Sequence, residues 1–292
     1  MADITAVVLT KNESRNISNC INSIKTLVDR VVVVDSGSTD NTVEIARNLG
    51  ADVYEHPFEN YARQFNWGLD NTNISTKWVI RIDADEQFTP QLCKEIEENI
   101  KLHENDDING FTLEAWLYFM EKKLNYGGTK KRKLMVFKNG IGRIEDRKMD
   151  EHTILTEGKS IALKERFLHY DFKNLDYFIS KYNWYATREM QDYYIHIESS
   201  DSEQSSERIL VDKKIQQTRK KKFHLYYKAP LFIRAFLLFI INYIIKLGFL
   251  DGKEGFIYHF LHTFWYRMLV DAKIYEQSKT KAPFLETGDL KA

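Results

Sequence analysis

Residues 79–88 read VIRIDADEQF. An apolar run ends on Asp83, with Asp85 one residue beyond it and Glu86 directly after. If the alternation of a strand continues through this stretch, Asp83 and Asp85 face one side and converge on a point. Hard oxygen ligands of this kind suit Mg2+ or Mn2+; Mg2+ typically takes one or two carboxylates together with substrate phosphates. An isolated Asp-x-Asp is more often a solvated turn. Here it closes a run with the continuous apolar character of a strand buried on both faces, which tips the reading toward a ligand site.

Upstream, the same design occurs twice. ITAVVLT (4–10) is an apolar, β-branched run, and RVVVVDSGSTDNT (30–42) is a second that leads into Asp35, a glycine turn and a helix start. Thr39 or Asp40 is placed to cap that helix, which ends at Gly50. ESRNISNCINSIKTL (13–27) sets Ile17, Cys20, Ile21, Ile24 and Leu27 at helical spacing. ADVYEH (51–56) reads as a short strand, NYARQFNWGLDNT (60–72) as a helix and KWVIRIDAD (77–85) as the fourth strand. Alternating strands and helices imply an α/β fold, a parallel sheet with helices on both faces. Ligands of such sheets lie beyond the carboxyl ends of the strands. Thr10, Asp35 and Asp83 all fall at such ends.

Past residue 110 the pattern changes. GFTLEAWLYFM (110–120), KKRKLMVFKNG (130–140) and KSIALKERFLHYD (159–171) read as strands of an antiparallel extension. LDYFISKYNWYATREMQDYYIHI (175–197) reads as a long aromatic helix, followed by a polar loop, ESSDSEQSSE (198–207). The expected division is a catalytic domain over 1–172 and a helical, membrane-associating region over 173–292.

Lys+Arg and Asp+Glu both number 42, so the formal charge is zero, which argues against a general nucleic-acid binder. Cys20 and Cys93 have no metal-binding spacing and are expected to be reduced core thiols in a reducing compartment. MADITAVVLTKNES lacks the pattern of a secretory signal.

TRKKKFHLYYKAPLFIRAFLLFIINYIIKLGFLDGKEG (218–255) opens with four cations and runs into a dense apolar stretch. Residues 231–250 have about the length of a bilayer span, but Arg234, Asn242 and Lys246 interrupt them. A charge at the centre of a span costs about 2.5–3.5 kcal/mol. The expectation is therefore a helix lying in the membrane interface, with Lys220, Lys221 and Lys222 on anionic headgroups and Phe232, Arg234 and Phe236 at the surface. A true span and plain packing within the protein are the alternatives. FIYHFLHTFWYRMLVDAKIYE (256–276) reads as a second aromatic helix packed on the first.

Taken in order, VVLTKNE, VVVVDSGSTDNT and VIRIDADE resemble the inverting family 2 glycosyltransferases, whose GT-A fold is a mixed, mainly parallel sheet flanked by helices. RKMDEHTILTEGK (147–159) and LGFLDGKEGFIYHFLHTFWYRMLVDAKIYE (247–276) resemble a bacterial subgroup that builds lipopolysaccharide, capsule and other surface polysaccharide. The resemblance implies that Thr10 and Glu13 lie near the nucleotide, Asp35 on the uracil, and Arg63 within reach of the nucleotide. It implies Asp83 on the ribose or metal, Asp85 as metal ligand, and Asp150 as catalytic base, with Glu151 the alternative and Glu145 or Asp146 behind it. His152 and His169 are further candidate ligands of a Mg2+ or Mn2+ ion. The implied activity is transfer of a hexose from a UDP-sugar to a hydroxyl of a lipid-linked glycan or polysaccharide, on the inner face of the cytoplasmic membrane. In-line displacement needs a base opposite the departing nucleotide and positive charge on the leaving diphosphate.

Two other functions compete. A sugar nucleotidyltransferase would want a glycine-rich phosphate loop after the first strand, and no glycine precedes Gly37. A non-catalytic membrane-bound scaffold of a polysaccharide assembly complex would tolerate loss of Asp85 or the base, yet both positions are filled. Relatives often carry an arginine inside the strand before the base segment, whereas KRKLMVFK (131–138) places its cations at the flanks.

Overall fold

The computed structural model describes residues 3–146, 151–171, 173–199 and 213–280. Strands β1 (Ile4–Thr10), β2 (Arg30–Asp35), β3 (Asp52–Glu55) and β4 (Trp78–Asp83) are parallel, in the order β3-β2-β1-β4. Helices α1 (Ile17–Ile24), α2 (Thr42–Asn48) and α3 (Tyr61–Asn71) connect them. Both faces of the strands are buried, which is why their sequences are apolar without alternation. Ala6, Val8, Val33 and Ile80 pack under α1, while Val7, Val32, Val34 and Val79 pack with Ala62 and Phe65 of α3. Register sets Thr10 beside Asp35 and Leu9 beside Asp83, so the expected residues do share one rim. The cap of α2 is not the expected one: Asn41 precedes the helix, and Asp40 accepts the Thr42 N–H at 3.1 Å.

The rest of the sheet is built from β5 (Glu86–Gln87), β6 (Ile108–Phe119), β7 (Lys122–Leu124), β8 (Arg132–Lys138) and β11 (Lys159–Tyr170). Helix α4 (Pro90–Leu102) follows β5, and β9 (Gly142–Ile144) pairs with β10 (Thr153–Leu155) in a small separate ribbon. β8 runs antiparallel to β4 and β6, as expected of the extension, but β11 runs parallel to β6. The segment between β6 and β11 is long enough for a crossover, which a parallel pair requires. Short β5 then folds back onto β11, setting Glu86 beside His169. Cys20 and Cys93 are both free and buried.

The C-terminal helices form a second core. α5 (Leu175–Ser199) packs on α9 (Tyr266–Thr280) through Ala186, Met190, Val270 and Ile274. Between them lie α6 (Lys213–Lys221), α7 (Ile233–Phe239) and α8 (Gly252–Tyr258), each continued by π-helical turns. The apolar stretch 231–250 is not one helix. Leu247 takes a left-handed conformation (φ 61), and Ile233–Ile245 and Gly248–Thr280 diverge by 68°. Among the described residues no single helix is long and apolar enough to cross a membrane.

Arg234 corrects an expectation. It does not reach a membrane surface, being 2% exposed. Its guanidinium donates to Asp271 at 2.8 and 2.5 Å and to the Tyr227 carbonyl at 3.1 Å, against the rings of Tyr193, Tyr226 and Tyr227. A buried charge persists only when paired, and Asp271 supplies the pair. Lys222 also turns inward, 2.9 Å from Glu189. Lys221, Phe232 and Phe236 remain exposed; the side chain of Lys220 lies outside the described residues.

The two cores meet at the loop after β7. Asp251 accepts the N–H groups of Asn125 (3.1 Å) and Tyr126 (2.9 Å), and Gly127 N–H donates to the Lys246 carbonyl at 2.9 Å. Gly127 has φ +73, and a Cβ there would stand 2.0 Å from the His259 ring. Gly140 has φ +80 but open space around it. Gly127→Ala is therefore expected to destabilise the protein by about 3 kcal/mol, from overlap added to backbone strain. Gly140→Ala should cost about 1 kcal/mol from strain alone. Urea midpoints of the two variants measure the difference.

Candidate active site

Asp35 ends β2 and organises the turn beyond it. One carboxylate oxygen accepts the hydroxyls of Thr10 (2.8 Å) and Ser38 (2.6 Å); the other accepts the N–H groups of Gly37 (2.9 Å) and Ser38 (2.7 Å). This locks the ends of β1 and β2 together and leaves Asp35 1% exposed. Glu13, on the loop after β1, accepts Lys173 Nζ at 2.5 Å and the Asn16 amide at 2.7 Å. Burial pushes the Glu13 carboxyl up, against the opposing pull of Lys173.

Among the described residues Asp83 and Asp85 share no hydrogen-bond or ion-pair partner. β4 stops at Asp83 and the chain turns at Ala84–Asp85, so strand alternation ends before it can align the two carboxylates. Asp83 accepts the Tyr61 hydroxyl at 2.5 Å and Lys133 Nζ at 2.6 Å. Burial alone would raise its carboxyl, but Lys133 and Arg81 hold it well below the usual carboxylate range. Asp85 instead turns to His169 Nε2 at 3.7 Å and Lys181 Nζ at 3.8 Å. Burial alone would raise its carboxyl, but the attraction of His169 and Lys181 holds it below the usual carboxylate range.

Glu86 completes the group. It is 1% exposed, accepts Lys133 Nζ at 2.5 Å and the Asp83 N–H at 3.0 Å, and lies 3.7 Å from His169 Nδ1. Ligand atoms of Asp85, Glu86 and His169 all lie within 4.8 Å of one another. His169 Nδ1 is buried with no hydrogen-bond partner. Two carboxylates and an imidazole whose Nδ1 has no hydrogen-bond partner fit a divalent cation such as Mn2+. His152 stands apart from this group, its ring 3.2 Å from Glu145.

Arg63 is exposed and pairs with Glu59 (2.5 Å) and Asp146 (3.2 Å). Glu151 accepts Arg188 of α5 at 2.9 Å. Asp150, the expected base, lies outside the described residues.

Arg81, Tyr61 and Lys133 were not legible as site residues. Arg81 sits mid-strand, buried, donating to the Tyr61 hydroxyl at 2.9 Å and to Thr153 at 3.1 Å. A relay thus runs Arg81–Tyr61–Asp83–Lys133–Glu86. A cation inside an apolar strand is the available signal, since buried charge demands partners. Among the flanking cations of β8, Lys133 reaches the acidic turn directly, pairing with Asp83 and Glu86.

Beyond His169 opens a cavity of about 380 Å³ between the ends of β6 and β11 and helix α5. His169 and Lys181 form walls of this cavity and also flank Asp85.

The parallel strands, reversed β8 and acidic turn at the rim define a GT-A-type glycosyltransferase. The model of glycosyl transferase family 2 matches residues 5–167, and the chain belongs to that family. It is 30% identical over 201 residues to an uncharacterized glycosyltransferase of Rickettsia felis, covering 66% of this chain and 70% of that one. It is 25% identical over 295 residues to the lipopolysaccharide core biosynthesis glycosyltransferase LpsC of Rhizobium meliloti, covering 96% and 94%. The mannosyltransferase PcManGT of Pyrobaculum calidifontis, solved with GDP-Man and Mn2+, shares the fold with a TM-score of 0.55 at 15% identity, covering 95% and 88%. The protein is thus a glycosyltransferase enzyme with a relative in lipopolysaccharide synthesis.

Proposed function

We propose that this enzyme transfers a hexose from a UDP-sugar, with inversion and metal assistance, to a hydroxyl of a lipid-linked glycan or surface polysaccharide. The observation that carries the metal-assisted part is the meeting of Asp85, Glu86 and His169 at the end of β4. These residues would hold Mg2+ or Mn2+, which neutralises charge on a departing diphosphate. The turn locked by Asp35 presents the rim of β1 and β2 to the nucleotide, with Thr10 and Glu13 beside it. Lys133 pairs with Asp83 and Glu86 and orients both carboxylates. Asp150 is the proposed base; Glu151, its alternative, already accepts Arg188. The full-length likeness to LpsC supports an acceptor of the lipopolysaccharide type. Incubation with a panel of UDP-, GDP- and ADP-sugars, read by mass shift, should show turnover of a UDP-hexose alone. Preference for a GDP-sugar would overturn the donor assignment. Asp150→Asn should keep nucleotide binding and lose transfer, and unchanged transfer would move the role to Glu151.

The same proposal places the enzyme on the inner face of the cytoplasmic membrane, as a peripheral protein. Ile233, Phe236, Leu237, Ile244, Ile245 and Leu250 are 47–68% exposed on the bent helix pair. Exposed Lys221 ends α6, Lys228 lies in the turn before α7, and Lys246 lies at the break within the pair. An apolar face with a basic rim suits an anionic leaflet, each cation near it adding about 1 kcal/mol. The chain should float with anionic liposomes at low salt, and Phe236→Glu with Leu237→Glu should sink. Wild type remaining in the soluble fraction would refute the placement.

A further inference from the structure

We propose that the cavity beyond His169 receives the acceptor through a negatively charged group, a phosphate or a carboxylate, with Lys131 as its counter-ion. The proposal rests on the glycosyltransferase reading above and names the acceptor class for that site.

Three lysines line this cavity: Lys131, Lys173 and Lys181. Glu13 neutralises Lys173 at 2.5 Å, and Lys181 lies between Asp85 (3.8 Å) and Asp171 (3.9 Å). Lys131 has no ion pair among the described residues. It is half-buried just before β8; Glu121 and Asp171 also line the cavity, but no carboxylate among the described residues forms an ion pair with Lys131. Burial, with Lys133 and Lys181 nearby, pushes its ammonium down to about 8. A cation held in such surroundings gains most from a ligand that brings its own negative charge.

This cavity adjoins the proposed nucleotide rim, since Lys173 of its wall bonds Glu13, but it extends away from that rim. Sheet order runs β2-β1-β4-β8-β6-β11, so the rim of β1 and β2 lies on one side of β4 and the cavity at β6 and β11 on the other. His169 and Lys181 join them, placing a ligand of the cavity beside the acidic turn. The walls also suit a sugar. Phe119 meets Phe178 and Tyr258 edge-to-face, with ring centroids 5.5 Å apart in each pair, so this wall is aromatic. Aromatic side chains with a few convergent polar groups are the usual lining of such sites. Lys131 and Tyr258 also line a second cavity of about 100 Å³ that reaches Asn242 on the exposed apolar helix pair. The unpaired lysine thus stands between the acidic turn and the proposed membrane face, where a lipid-linked acceptor would enter.

The test titrates the full chain with glucose 6-phosphate, glucuronate and methyl glucoside, each with Mn2+ and UDP present, by calorimetry. At least one anionic sugar should bind ten or more times tighter than the neutral one. Phosphate over carboxylate, or the reverse, identifies the source of the charge. Lys131→Gln should remove that advantage, Lys131→Arg should retain it, and both should keep the wild-type melting temperature. Equal binding of charged and neutral sugars, or an unchanged advantage in Lys131→Gln, overturns the proposal. A parallel loss of Mn2+-dependent UDP affinity in Lys131→Gln also overturns it, since the lysine would then serve the donor diphosphate. Failure of wild type to bind UDP with Mn2+ is a separate result, which defeats the donor reading beneath it.

Discussion

Asp85→Ala is expected to lower metal-dependent transfer about a thousandfold, equivalent to about 4 kcal/mol of transition-state stabilisation. Asp85 lies nearest His169 and Lys181 and is free of the bonds that tie Asp83 to Tyr61 and Lys133. Its loss leaves His169 and Glu86, whose carboxylate already accepts Lys133 Nζ at 2.5 Å, and so removes the one carboxylate of the group that Lys133 does not hold. His152→Ala is the matched control, because that ring pairs with Glu145 and not with the acidic turn. It should change turnover by no more than a few-fold. Initial rates across a Mn2+ series, for both variants, measure this. Asp85→Ala with wild-type metal dependence would remove the ion from the turn.

Arg234→Met is expected to be the most destabilising substitution in the helical region. Asp271 is 0% exposed and would be left charged in a low-dielectric core without its partner. Breaking a buried pair from one side costs about 3–5 kcal/mol, whereas replacing both members with apolar groups is often neutral. At roughly 2–4 °C per kcal/mol, Arg234→Met should melt about 10 °C lower. The double variant Arg234→Met, Asp271→Leu should recover most of the loss. Calorimetric scans of the three proteins measure it. A normal melting temperature with impaired liposome flotation would restore Arg234 to the membrane surface.

The sequence made some features legible because they are local. Runs such as RVVVVD and ITAVVLT announce doubly buried strands, and they placed Thr10, Asp35 and Asp83 on one rim. Strands of two or three residues, such as Glu86–Gln87, carry no periodicity to detect. The parallel pairing of β11 with β6 is set by contacts far apart in the chain. Strand alternation continued through Ala84 would align the acidic pair, but a turn there gives each aspartate its own partners. Glu86 and His169 become neighbours only because β5 folds onto β11. Arg234 shows the same limit, since its partner lies 37 residues away. In one dimension it reads as an interruption of an apolar surface; in three it is the anchor of a core.

The most direct test of the whole account is a crystal of the full chain grown with UDP and Mn2+, read by manganese anomalous scattering. The account predicts one strong peak within coordination reach of Asp85 and His169, with the uracil at the rim of β1 and β2. A peak elsewhere, or UDP bound at the rim with no manganese beside Asp85, would contradict it.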